Sequence, residues 1–230
     1  GKLQLNDRGI EKGDAVFCVT EGGETSSVIG TILTAWRQYG DPAVQHNAES
    51  AANLYFAYNN PDERLLPFDR SRSVIENNGI TKLNFTTGPQ GITGSTRLQA
   101  TTSETFILGA VMEEALYRIL GDFLDEKALA GLGFEKGLDL AGRLLSFDDV
   151  RKSVDDRASD IARFTELEAS TYAAHHFSTY FAREAMVTVV IDSTERSPTF
   201  KLFPLDTVGE PRRKSWIQVW TDSKSIGEAW

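Results

Sequence analysis

Gly88-Pro89-Gln90-Gly91-Ile92-Thr93-Gly94-Ser95-Thr96-Arg97-Leu98-Gln99-Ala100-Thr101-Thr102 joins a predicted strand, Thr81 to Thr86, to a long helical pattern. In that helix Ile107, Val111, Ala115 and Ile119 form one apolar stripe, and Leu108, Met112, Leu116 and Leu120 form the next. Two adjacent stripes predict a wide buried face. The loop itself is rich in glycine and hydroxyl residues. Gly91 and Gly94 permit close backbone approach, and Thr93, Ser95, Thr96, Thr101 and Thr102 offer hydroxyls. A helix N-terminus adds N–H groups and positive dipole potential. Phosphate or sugar binding is therefore one reading, and ordinary turn and capping chemistry is the other. The spacing is neither Walker A nor Gly-x-Gly-x-x-Gly.

Working outward, the same strand–turn–helix grammar recurs. Ala15 to Thr20 is an unbroken apolar run, which predicts a parallel strand buried on both faces. Glu21-Gly22-Gly23-Glu24-Thr25-Ser26 reads as the turn after it. Ser26 to Tyr39 then carries Val28, Ile29, Ile32, Leu33 and Trp36 at helical spacing. Asn53 to Tyr58 predicts a second strand, stopped by Asn59-Asn60-Pro61, and Leu65 to Asn78 a loop with a short helix. These units belong to an α/β fold with a parallel sheet. Ligands of such sheets bind beyond the carboxyl ends of the strands, where the Glu21 and Gly88 loops both lie. Three strands offer too little area for the helix after Thr96. The sheet is therefore expected to be incomplete at the N-terminus, with earlier strands missing or supplied otherwise.

From Phe123 to about Ala185 the pattern is helical throughout, with Ser146-Phe147-Asp148-Asp149 as a helix entry. Arg151 to Arg163 reads as a solvated helix face. Val187 to Ile191 and Ser215 to Trp220 are candidate strands.

Composition narrows the function. The chain has 230 residues, 25% of them charged, and a formal net charge of -9. That field disfavours nucleic acid as a partner. No apolar run approaches the roughly 20 residues of a membrane helix, and no secretory leader is evident, so a cytoplasmic protein is expected. A single cysteine, Cys18, excludes an internal disulfide and reads as a buried strand thiol. Asn84-Phe85-Thr86 fits a glycosylation sequon, a pattern that also arises by chance. Adjacent His175 and His176 point to different sides of a helix, so no metal site is expected. Nothing calls for a cofactor.

The Gly88 to Thr102 segment resembles the signature of the N-acetylmuramic acid 6-phosphate etherases and the related glucokinase regulatory protein. These carry a sugar-isomerase-type (SIS) domain. In that family the segment reads approximately Gly-Pro-Glu-x-x-Thr-Gly-Ser-Thr-Arg-x-Lys-Ala-Gly-Thr. The family's Ala-Ser-Gly-Arg-Thr-Pro falls on Glu21 to Ser26, and its Cys-Asn-Pro on Asn59-Asn60-Pro61. The resemblance covers roughly residues 10 to 120. It implies an SIS-type, flavodoxin-like three-layer sandwich. It also implies that Ser95 and Thr96, with nearby amides, contact a sugar phosphate, and that Thr25 belongs to the facing loop. The ligand-binding set expected on these grounds is Gly22, Gly23, Thr25, Ser26, Thr93, Gly94, Ser95, Thr96 and Arg97.

The departures bear on chemistry. The family's phosphate-binding serine falls on Gly22, its arginine on Glu24 and its lysine on Gln99. Glu21 adds a second carboxylate, and two carboxylates repel a phosphate dianion unless one is protonated, paired or turned away. The first loop then reads hydroxyls or a sugar without phosphate. The glutamates given catalytic roles in the family lie upstream of Ala15. Glu21 and Glu24 replace them in location only, and hydroxyl binding or structure is the preferred role for both. Asp192 to Phe200 resembles, more briefly, the family's Asp-x-x-Glu-Cys-x-Pro-Thr-Phe segment. The expected organisation is thus the C-terminal part of an SIS-type domain over 1–122, a helical connector over 123–185 and a strand–loop region over 186–230. That last region is either the start of a second SIS-type domain or a unit closing the same sheet. The resemblance implies a carbohydrate-derivative-binding domain with a binding or regulatory role. The alternatives are an etherase-type lyase, an aldose–ketose sugar-phosphate isomerase, or an assembly domain whose site has decayed. The expected partners are a small sugar or sugar phosphate and a second copy of the chain in a homodimer.

Overall fold

The computed structural model describes residues 2–9, 14–39, 53–96, 98–176, 178–181 and 217–220. By internal contacts the chain divides into two units, Gly1–Phe147 and Asp148–Trp230. The first unit is mixed α/β. Its order is α1 (Lys2–Asp7), β1 (Ala15–Val19), α2 (Ser26–Tyr39), β2 (Asn53–Tyr58), α3 (Asp62–Leu65), α4 (Asp69–Ile75), β3 (Thr81–Asn84), α5 (Gln99–Gly121), α6 (Glu126–Gly131) and α7 (Leu140–Leu145). The three strands form a parallel sheet in the order β1-β2-β3, with Val16 opposite Leu54 and Tyr55 opposite Thr81.

The core forms where the two periodicities meet. Even-numbered positions Val16 and Cys18 of β1, and Leu54, Phe56 and Tyr58 of β2, share one face of the pleat. Ile29, Ile32 and Ala35 of α2 recur at helical spacing and join the same cluster, with Leu65, Val74 and Ile80 behind them. Each large side chain fully buried here contributes roughly 1.5–3 kcal/mol. Cys18 is buried as expected, and burial pushes its thiol up to about 11.

Two expectations about burial need correction. Ala15 to Thr20 is not buried on both faces: Phe17 is 46% exposed and Val19 39%. The reason is position, since β1 lies at the edge of the described sheet. Phe17 is partly covered by Tyr55 of β2, whose ring stacks on it at 4.6 Å. The wide apolar face of α5 is not buried either. Met112, Leu116 and Ile119 are exposed, and the residues buried along the helix are Ala100, Glu104, Ala110 and Glu114. Length explains this. A helix of 23 residues runs roughly 34 Å, whereas strands of four to six residues span roughly 13–20 Å. The far half of α5 is instead fastened through charge: buried Arg143 of α7 binds Glu113 and, at 3.3 Å, Glu114.

The second unit contains α8 (Phe147–Asp155), which starts in the first, α9 (Ala158–Ala173) and a parallel pair, β4 (Ser178–Phe181) with β5 (Ile217–Trp220). Asp148 and Asp149 stand in the first turn of α8 as expected, and Arg151 to Arg163 is solvated apart from the half-buried Asp160. Helix does not continue to Ala185. Residue His175, at φ 60, follows the end of α9, and β4 comes next. β5 matches the end of the candidate strand Ser215 to Trp220. The candidate strand Val187 to Ile191 and the Asp192 to Phe200 segment lie outside the described residues. No described helix is long and apolar enough to cross a membrane.

Candidate functional site

The carboxyl ends of β1, β2 and β3 deliver Thr20-Glu21, Asn59-Asn60 and Thr87 to one place, against the start of α5. Parallel pairing dictates this, because strands that run the same way end on the same edge. The loop after β1 is tied down by backbone. The Asn59 N–H donates to the Glu21 carbonyl at 3.0 Å and the Thr20 N–H to the Ala57 carbonyl at 3.0 Å. Gly23 turns the chain at φ +74, a left-handed conformation that costs glycine little. Its carbonyl accepts from the Ser71 hydroxyl at 2.8 Å, and that of Gly22 from Asn60 Nδ2 at 2.9 Å. The Thr20 and Thr25 hydroxyls bond each other at 2.7 Å, and Ser26 Oγ accepts from Arg70 at 2.6 Å. Glu24 is half-buried in the same loop.

In the Gly88 loop, Gly94 turns at φ +82, Thr93 and Gly94 are exposed, and Ser95 is 5% exposed. Arg97 lies outside the described residues. Several amide donors of this loop are engaged within the chain. Gln99 Oε1 accepts from the Gly91 N–H at 2.9 Å while its Nε2 donates to the Pro89 carbonyl. Gln90 Oε1 accepts from the Ala100 N–H at 3.3 Å. The Ser95 N–H donates to the Ile92 carbonyl, and that of Thr101 to the Thr96 carbonyl. Two glutamines thus occupy donors that a phosphate nest would offer to an anion.

Among the described residues the Thr101 hydroxyl links the two loops: it lies 3.2 Å from Glu21 Oε1 and 3.2 Å from the Thr96 carbonyl, which share its one proton. No described hydrogen bond connects Thr93 or Gly94 to the first loop.

Beneath this junction lies a network that sequence reasoning missed. Asn59, 5% exposed, donates through Nδ2 to Glu104 Oε1 at 2.8 Å. Its Oδ1 accepts from the Thr87 and Ser103 hydroxyls, each at 3.2 Å. Glu104 is 3% exposed. Burial pushes its carboxyl up to about 7 against the opposing pull of the Asn59 bond, and the charge of Glu21 adds to the rise. The available signal was its spacing: Glu104 stands one helical turn after Ala100, on the face turned toward the strand ends. A cavity of about 810 Å³ lies beside Thr87 and Ser103, and its surface is almost wholly apolar, walled by Leu98, Phe106, Ile107, Leu144 and Phe147. Its size falls in the range of small-molecule sites.

The chain matches no protein-family model, no curated protein and no solved structure. The chemistry must therefore be read from the site itself. The Thr101 hydroxyl bonds the Glu21 carboxyl, and the Thr87 and Ser103 hydroxyls connect to Glu104 through Asn59. Hydroxyl and carboxyl groups are chemically able to exchange hydrogen bonds with a hydroxylated molecule. Burial holds Glu104 near the pH at which a carboxyl exchanges protons readily.

Proposed function

We propose that this chain is a carbohydrate-derivative-binding domain of the SIS type, with a binding or regulatory role, that works as a homodimer in the cytoplasm. The observation that carries the reading is the convergence of hydroxyl and carboxyl groups at the carboxyl ends of three parallel strands, beside a cavity of ligand size. The Gly88 to Thr102 resemblance supports the same reading. The Glu21 carboxyl at the junction of the two loops, bonded to Thr101, favours recognition of sugar hydroxyls over recognition of a phosphate dianion.

A second reading is an enzyme, an etherase-type lyase or an aldose–ketose isomerase. Glu104 favours it, because a buried carboxyl near neutrality suits acid–base work. A thermal-shift panel of hexoses, amino sugars and their 6-phosphates tests binding. Stabilisation by a sugar, reduced in Thr101→Ala, supports the domain as a sugar binder, and no shift with any sugar refutes it. Lactate release from N-acetylmuramic acid 6-phosphate, or interconversion of hexose phosphates, decides for the enzyme instead.

A further inference from the structure

The cavity beside Thr87 and Ser103 lies wholly within the first unit. Its walls come from the loop after β3, from the first two turns of α5, and from Leu144 and Phe147 where α7 passes into α8. Contacts inside the chain hold these walls in place. Buried Arg143, next to Leu144, binds Glu113 and Glu114 of α5 and so clamps α7 to it. The rings of Phe106 and Phe147 pack against each other with centroids 4.8 Å apart. A volume of about 810 Å³ between fixed walls loses little to ordering when a ligand enters.

The walls exclude charge. No described residue that lines the cavity is ionisable, and nearly all of its surface is hydrocarbon. An anion would shed its hydration there with no cation to receive it, and a cation would find no carboxylate. The charged neighbours in sequence, Glu104 and Arg143, are bound to Asn59 and to the two glutamates of α5. The few polar atoms are selective in another way. The Ser103 hydroxyl has one proton, directed at the Ala100 carbonyl at 2.9 Å and Asn59 Oδ1 at 3.2 Å. Thr87 spends its proton on the same Asn59 oxygen. Gln99 is held at both ends of its amide, by the Gly91 N–H and the Pro89 carbonyl. The Thr87 and Ser103 oxygens therefore meet a ligand as acceptors and call for a donor.

We propose that this cavity binds an uncharged, largely apolar small molecule that carries a hydroxyl donor at one end. Its hydrocarbon body lies against Phe106, Ile107, Leu144 and Phe147, and its hydroxyl reaches Thr87 and Ser103. No covalent bond changes. The inference goes beyond the carbohydrate reading and stands on the cavity alone, although a glycoside with an apolar aglycone satisfies both.

Three probes with one hydrocarbon body and different ends test it at pH 7: 2-naphthol, 2-methoxynaphthalene and 2-naphthoate, titrated by naphthalene fluorescence and by equilibrium dialysis. The naphthol is expected to bind tightest. The methyl ether, which has no donor, is expected to bind about threefold or more weaker, and the carboxylate about tenfold or more weaker. Thr102→Phe, at an exposed position on the rim, and Leu144→Trp each place a ring in the cavity. Each is expected to lower naphthol affinity about tenfold or more, and circular dichroism and melting like those of wild type show that at least one keeps its fold. Binding of 2-naphthoate as tight as that of the naphthol overturns the proposal, as does equal binding of naphthol and methyl ether. Failure of every probe, or naphthol affinity unchanged in a folded cavity-filling variant, overturns it as well. So does a wild-type dimer that excludes the probes and that Thr102→Phe dissociates, because the occupant is then a second copy of the chain. Each of these results leaves the sugar panel to decide the carbohydrate reading by itself.

Discussion

Replacing Glu104 by glutamine keeps the shape of the side chain and the acceptor for Asn59 Nδ2, and removes only the ability to ionise. In the folded chain the Glu104 carboxyl is pushed up from 4.5 to about 7, first by burial. The folded state thus holds the proton more tightly than the unfolded state. The stability this provides is fully present below pH 4.5 and is lost as pH rises through 7. The difference between the two values corresponds to roughly 3 kcal/mol, of which about 2 kcal/mol falls between pH 5 and pH 8. Glu114 and Asp148 act in the opposite sense. Arg118 first, then Arg143, holds Glu114 below its ordinary value, and Lys152 first, then Arg151, does so for Asp148. Their contributions are lost as pH falls, and they are common to both proteins, so they cancel in the difference. Urea unfolding followed by circular dichroism at pH 5, 6, 7 and 8 measures that difference. Glu104→Gln is expected to match wild type at pH 5 and to exceed it by about 2 kcal/mol at pH 8. A difference that stays flat across the range, or a variant less stable than wild type at pH 8, refutes the account of Glu104 as a buried carboxyl without a cation.

Other substitutions probe the supports of the site. Gly23→Ala puts a Cβ 2.6 Å from Leu65 Cδ1 at φ +74, and is expected to cost about 1–3 kcal/mol in the same unfolding assay. Asn59→Ala strips the Glu104 carboxyl and the Thr87 and Ser103 hydroxyls of their shared partner. It is expected to cost about 2–3 kcal/mol, with a steeper loss at pH 8 than at pH 5. Arg143→Ala removes the clamp between α7 and α5. Its expected signature is faster amide exchange in Leu140–Leu145 with little change in β2, and equal protection in both proteins would show that the clamp is dispensable.

Local pattern determined much of the first unit. The run Asn53–Tyr58 and the helix Ser26–Tyr39 form over the residues their periodicity predicts, because apolar spacing of two and of 3.6 is written residue by residue. The turn glycines Gly23 and Gly94 likewise declare themselves, since only a residue without Cβ takes their backbone angles cheaply. Exposure was decided elsewhere. The apolar run of β1 and the stripes of α5 look buried in isolation, yet what lies against a face depends on how many strands stand beside it and how far they reach. The site divides in the same way. Glu21 and the hydroxyls of the Gly88 loop are legible as loop residues at strand ends. Glu104 and Asn59 are not, because their pairing spans 45 residues of sequence and arises only when α5 packs across the end of β2. The sequence determined which groups this protein has to offer at its strand ends; tertiary packing decided which of them is buried, and so which one holds its proton.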